Sequence, residues 1–263
     1  DAAAAEAVRQ ELGLDQSALV QLWAWLKTLA QFDLGVSAVY GTPVIDEIAT
    51  QLGYSLLLAA GAVVTSLLIA LPLGIASGLR PGGALDRITL GISVFVRAIP
   101  AFALGIVLVL VFAVQLKLFP VAGFKSFANL VLPSLTLGLG LAAVSNRVVR
   151  DSVADAMSAD WRLFSRTKGL SARVTLSRHV MRNAALPVVT YVGVQLAYLI
   201  EGVVIVETLF SYTGFGWQLV NAAGNNDIEM LLAVSVVSVF VVLITQLISD
   251  IGYVFLNPRI RIS

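Results

Sequence analysis

The sequence predicts an all-α membrane protein, and three observations carry that reading. Of its 263 residues, 58% are hydrophobic and only 13% are charged, against about 25% charged in a soluble domain. The charges are crowded into short segments, leaving long stretches with almost none. Those stretches reach the ~20 residues that a helix needs to cross a bilayer.

Five spans follow in order. Residues 52–79 carry no charge before the terminal basic cluster and contain Pro72. Residues 88–116 form the second, interrupted by Arg97 and Pro100. The third is 126–146, the fourth 183–206 with Glu201 near its far end, and the fifth 230–249. Proline and glycine are tolerated in such helices because packed neighbours re-satisfy the freed backbone groups.

The connecting segments set the direction. With residues 1–51 outside, the inside segments are 80–87, 147–182 and 250–263, which hold twelve of the seventeen Lys and Arg residues. An excess of Lys and Arg marks the cytoplasmic side. The outside segments hold only Arg9, Lys27, Lys117 and Lys125. An external start without a carrier for some fifty residues implies one more helix upstream, six in all. The external arm, 1–51, reads as an amphipathic helix. Asp15 and Ser17 are good helix starters, and Leu19, Leu22, Leu26 and Leu29 follow at helical spacing beside Trp23 and Trp25. An outer-surface or partner contact and a simple interfacial anchor explain it equally well. Gly41-Thr42-Pro43 then turns the chain toward the first span.

The cytoplasmic loop 147–182 is the most informative segment, with eight basic residues and three acids. Ser158 or Asp160 can start a short helix that Gly169 ends, and Ser171 can start the next. Trp161, Leu163 and Phe164 give apolar anchors rimmed by Arg162, Arg166 and Lys168. A bulky centre with a charged rim suits a docked partner.

Here the sequence resembles a known family. Asp160-Trp161, Arg166-Thr167-Lys168-Gly169-Leu170-Ser171, Arg178-His179, Arg182-Asn183-Ala184 and Leu186-Pro187 are similar to the cytoplasmic signature of ATP-binding-cassette (ABC) importer permeases. The closer resemblance is to the dipeptide, oligopeptide and nickel group. Leu12-Gly-Leu-Asp-Gln16, Leu132-Pro-Ser-Leu-Thr-Leu137, Glu207-Thr-Leu-Phe-Ser with Gly214-Phe-Gly216, and Leu256-Asn-Pro-Arg-Ile-Arg261 match in order along nearly the whole chain. The Glu-Ala-Ala triplet of broader importer families is replaced by Leu163-Phe164-Ser165, and Arg97 stands where an uncharged residue is expected.

The resemblance implies a type I ABC importer permease fold of six helices, in a multi-pass protein of the bacterial inner membrane. It divides the chain into the arm, 1–51, and a transmembrane domain, 52–263, with an external loop at 207–229. It implies that Asp160, Trp161, Arg162, Phe164, Arg166, Lys168 and Gly169 form a coupling helix docked on an ATPase subunit. The implied partners are a second homologous permease, two ATP-binding subunits that hold ATP and Mg, and an extracytoplasmic substrate-binding protein. The implied solute is a peptide or similar small molecule. Nickel chelates, opines and haem-like ligands are the alternatives.

Individual residues carry competing readings. Arg97, about 13 Å into a straight span at 1.5 Å per residue, marks a pathway cavity or a buried pair. Snorkelling to the headgroups is the weaker explanation. Glu201 is expected at an exposed helix end, and Glu207 is expected to organise the external loop rather than bind solute. Phe210, Phe215 and Trp217 fit either a solute contact or an aromatic belt. Gly74, Gly78, Gly138 and Gly140 are expected to let helices approach closely.

The chain has no cysteine and one histidine, His179, so no metal site is expected. It has no phosphate-cradling Walker loop, Gly-x-Ser-x-Gly elbow or His-Glu-x-x-His helix. It is therefore expected to be a transport subunit without catalytic residues or a cofactor of its own. An ion-coupled secondary transporter is the main rival class, but no Asp or Glu lies mid-span to hold the ion. An intramembrane enzyme is the second rival and lacks a nucleophile–base pair.

Overall fold

The computed structural model describes residues 16–158, 174 and 180–256. Helix α1 spans Ala18–Ala30. An irregular turn follows, pinned by an isolated antiparallel bridge between Val36 and Pro43. Then come α2, Val44–Leu79, and α3, Ala84–Ala98. Helix α4, Ala101–Leu108, runs on into a π-helical segment, Val109–Gln115. Helices α5, Ala128–Ser158, and α6, Met181–Leu209, are followed by the short α7, Phe215–Asn225, and by α8, Ile228–Leu256.

Three helices are long and apolar enough to cross a membrane: α2, α5 and the Ile228–Ser249 portion of α8. The pair α3 and α4 makes a fourth span if its bend of 104° is allowed, and α6 carries the shorter apolar stretch Pro187–Leu196. Two sequence-based edges move. The first span begins at Val44, not residue 52, because Asp46 and Glu47 fall in its first turn. Acids are favourable there, opposite the positive end of the helix dipole. The third span continues past residue 146 to Ser158. Hydropathy records where charge begins, whereas backbone hydrogen bonding runs on through it.

The second span is not the straight helix expected from the sequence. Ile99 is extended, at φ −84° and ψ 126°, and Pro100 precedes α4. A proline clashes with helical backbone at the residue before it. The chain therefore breaks at Ile99 and turns through 104°. Depth counted along a continuous helix from residue 88 does not apply to Arg97.

Helices α2 and α5 form the most extensive contact in the fold. A Cβ added to Gly74 would lie 2.7 Å from Val149 Cβ and 2.9 Å from the Asn146 carbonyl. At Gly78 it would lie 2.6 Å from the Arg150 carbonyl, and at Gly138 2.6 Å from Thr65 Cβ. Hydrogen at these positions lets the two backbones touch, as small residues do in membrane helix pairs. Gly140 is different, with nothing within 4 Å of its notional Cβ. Leu58, Ala62, Leu132, Leu137, Phe210 and Tyr212 pack a core around the seam. The rings of Tyr54, Phe124 and Tyr212 cluster at one end, with Phe124 5.1 and 5.0 Å from the two tyrosines.

Helix α1 contrasts with all of this. No residue of it is buried, and Leu19, Leu22, Trp23 and Leu26 are exposed. Ser17 stands at its start but makes no side-chain capping bond. Lys27 lies 5.7 Å from the Trp23 ring centroid.

Replacing Gly74 or Gly78 with alanine should force the seam apart, because the obstructing atoms include backbone. Overpacking of this kind costs about 1–3 kcal/mol. Purified Gly74→Ala and Gly78→Ala proteins should melt several degrees below wild type in detergent, and Gly140→Ala should not. Equal melting of all three would show that the seam does not limit stability.

Candidate functional site

At the α7 end of the bundle, one carboxylate joins three helices. Glu207 is fully buried in the last turn of α6. One of its oxygens accepts the Ser55 hydroxyl of α2. The other accepts the Trp217 N–H at 2.9 Å. Ser55 Oγ in turn accepts the Phe215 N–H at 2.8 Å. Two of the open N–H groups at the start of α7 are thus satisfied by side chains of other helices. The approach needs glycine, since a Cβ at Gly214 would run into the Glu207 carboxylate, and one at Gly216 would run into Val204 and crowd that carboxylate.

Tyr212 follows in the same turn and donates to the Tyr54 carbonyl at 3.0 Å. Burial, aided by the negative charge of Glu207, pushes its phenol above the ordinary range, so it stays a donor. The adjoining turn is tied down as well. Asp227 accepts the Ser37 hydroxyl and the Met230 N–H, which joins the 33–43 turn to the start of α8.

At the opposite end, Asp86 of α3 is 2% exposed. It receives a forked pair of hydrogen bonds from Arg150 of α5, at 3.0 and 2.8 Å, and the Gly82 N–H at 2.7 Å. Arg150 also donates to Asp151 at 2.8 Å. Beside this pair lies a cavity of about 520 Å³, lined by Leu90, Ser93, Arg97, Val144, Arg147 and Asp151 among others. Asn146, buried next to it, donates to Ser93 Oγ at 3.2 Å, and its side-chain Oδ1 has no partner among the described residues.

Between the two ends a polar triad crosses the core. Gln195 of α6 donates to Ser145 Oγ of α5 and lies 3.4 Å from Ser66 Oγ of α2. All three residues are buried. A second cavity, about 270 Å³ and mostly apolar, opens between α2, α6, α7 and α8, with Leu52, Leu199, Phe215 and Ile248 in its wall.

The sequence-derived candidates divide on this map. Glu207 and Phe215 are buried and Trp217 is partly buried. They meet at one place, the start of α7. Arg97 is exposed and lines the larger cavity. Asp160, Trp161, Arg162, Phe164, Arg166, Lys168 and Gly169 lie outside the described residues, as do His179 and the side chain of Glu201. Sequence reasoning passed over Ser55, Ser93, Asp86, Arg147 and Arg150. For Ser55 and Ser93 the signal was polarity on an otherwise apolar helix, which inside a membrane points to pairing or function, whereas Asp86, Arg147 and Arg150 fell in charged connecting segments.

This architecture is matched by solved transporters. A structure of the MetNI methionine ABC transporter in inward-facing conformations superposes with a TM-score of 0.66, covering 82% of this chain and 98% of that one at 16% identity. An amino acid ABC transporter crystallised with histidines gives 0.60, covering 87% and 97% at 12% identity. At these identities the likeness is one of fold, that of type I ABC importer permeases. Residues 70–262 match the family described as "Binding-protein-dependent transport system inner membrane component". The chain belongs to that family.

It is accordingly a multi-pass inner-membrane permease subunit of an ABC importer, and in such systems the ATPase is a separate subunit. A glutathione transport system permease protein of Escherichia coli O6:H1 is 37% identical over 261 residues, 99% of this chain and 85% of its own length. Its counterparts in Escherichia coli K12 and Shigella dysenteriae serotype 1 are 36% identical over the same coverage.

The Glu207 junction should hold the permease's α7 in place. Glu207→Ala would leave the Trp217 N–H and the Ser55 hydroxyl without their acceptor, at about 1–3 kcal/mol for each buried group. Amide exchange at the first turn of α7 should speed up at least tenfold, and Glu207→Gln should be milder because it keeps one acceptor oxygen. Unchanged exchange in Glu207→Ala would dismiss the junction as a structural element.

Proposed function

We propose that this permease serves an importer of short peptides or peptide-like solutes. The observation that carries the reading is near-full-length similarity, at 37% identity, to a permease of a glutathione transport system. The chain would share its translocation path with a second homologous permease. Two ATP-binding subunits holding ATP and Mg would drive the cycle, and an extracytoplasmic binding protein would deliver the solute. Only unequal affinity of ATP for the inward and outward states can supply that drive.

The charge distribution supports an orientation with the arm, 1–51, and the loop 207–229 outside, and with 147–182 and the C-terminus in the cytoplasm. Asp160, Trp161, Arg162, Phe164, Arg166, Lys168 and Gly169 then act as the docking helix for an ATPase subunit. Glu207 and Phe215 act on solute only indirectly, by fixing α7, and Trp217 is the aromatic of that trio with surface to offer.

The decisive assay is uptake by proteoliposomes holding the complete importer and its binding protein. Glutathione or di- and tripeptides should accumulate with ATP and not without it. Accumulation of a nickel chelate, an opine or haem in their place would replace the peptide reading with one of those.

Docking and orientation have a joint test, made simple by a chain without cysteine. A Ser171→Cys protein should resist an impermeant maleimide in intact cells. In inverted vesicles it should react, and it should crosslink to the ATPase subunit. Labelling in intact cells would reverse the topology, and labelling without crosslinking would move the docking surface elsewhere.

A further inference from the structure

The larger cavity holds an electrostatic imbalance. Its charged lining groups are Arg97 on α3 and Arg147, Arg150 and Asp151 on α5. Arg150 is spent, with two hydrogen bonds to Asp86 and one to Asp151. Asp151 reaches Arg147 only at 3.8 Å, the outer limit of an ion pair. Arg97 has no acid partner among the described residues. Counting Asp86 behind the wall, three guanidiniums face two carboxylates.

The remaining lining adds hydrogen-bonding capacity and apolar surface. Ser93 accepts from Asn146, so its own hydroxyl hydrogen is available. Leu90, Val94, Ala143 and Val144 form the apolar wall. The chain bends by 104° just after the last turn of α3, the turn that holds Arg97.

We propose that this groove is a carboxylate-binding site at the cytoplasmic mouth of the translocation path, with Arg97 and Arg147 as its cationic groups and Ser93 as a donor. The proposal rests on the importer reading above and names the part of the solute that is recognised. A planar guanidinium offers two parallel N–H groups that match a carboxylate. The site is an open groove of about 520 Å³, in which Arg97 and Arg147 are both exposed and so within reach of a solute. An anionic lipid headgroup has related oxyanion chemistry and is the rival source of the anion.

The test uses the complete importer in proteoliposomes and a labelled tripeptide offered as free acid or as C-terminal amide. The binding protein's affinity for each is measured separately, so that uptake is compared at equal occupancy. Wild type should favour the acid about tenfold, near the worth of one charge-assisted hydrogen bond. Arg97→Gln should bring that ratio close to one, and Arg97→Lys should fall between, since it keeps the charge and loses the fork. Arg147→Gln should lower the ratio in part. Arg87→Gln, on an exposed residue of the same helix outside the cavity, should leave it alone.

An unchanged ratio in an assembled Arg97→Gln, Arg147→Gln double variant would overturn the proposal. Repeating the series in purely zwitterionic lipid separates the two sources of the anion. If the effect of Arg97→Gln disappears there, the bound anion is a lipid headgroup and the solute site is refuted. Absence of ATP-dependent tripeptide uptake by wild type would refute the peptide reading first, before any variant is compared, and the carboxylate site with it.

Discussion

Everything in this fold is arranged around the contact of α2 with α5. Helices in lipid gain little from burying apolar side chains against one another, because the lipid is equally apolar. Close packing and hydrogen bonds must do more of the holding. Gly74, Gly78 and Gly138 bring the two backbones within van der Waals reach. The polar triad of Ser66, Ser145 and Gln195 then fastens α6 to the pair. Asp86 and Arg150 fasten α3 to its far end. Each polar group would be costly alone in the membrane and is stabilising only because the seam sets its partner at bonding distance.

The two ends of the bundle are built on different chemistry. At the α7 end the buried carboxylates of Glu207 and Asp227 accept backbone and hydroxyl donors, so those contacts are fixed in number and direction. At the other end arginines outnumber the acids that could neutralise them. One end is knit together by buried carboxylates, and the other carries an excess of arginine. A permease needs both, since a path that recognises solute must still be framed by elements that do not yield to it.

Much of this was legible in the sequence, for identifiable reasons. The spans on α2, α5 and α8 were readable because bilayer thickness imposes a length, and Gly74, Gly78 and Gly138 because tight helix pairs need small residues. Gly140 shows the limit of that inference. It lies only two residues from Gly138 and so faces another side of the helix, with empty space before it. Pro100 announced an interruption, but its 104° turn was out of reach because a proline fixes one dihedral and not the path of the chain after it. Glu207 was assigned to the external loop, yet its partner Ser55 lies 152 residues earlier. Asp86 and Arg150 are separated by 64 residues. Such pairings depend on tertiary register, which periodicity does not encode. Arg97 was singled out as an anomalous charge. Its companion Arg147 was not, because as a member of a basic segment it looked ordinary.

The length of α5 has a mechanical meaning. Its 31 residues make a rod about 46 Å long, half as long again as the ~30 Å hydrocarbon layer. Part of it must therefore project beyond the lipid, like an oar past its rowlock. A tilt of about 10° sweeps the tip of such a rod through about 8 Å relative to its other end. Because α2 is locked along its side, both helices would swing together as one stiff blade. Motion applied to the projecting end is thereby converted into a change of width within the membrane, without any helix having to unwind.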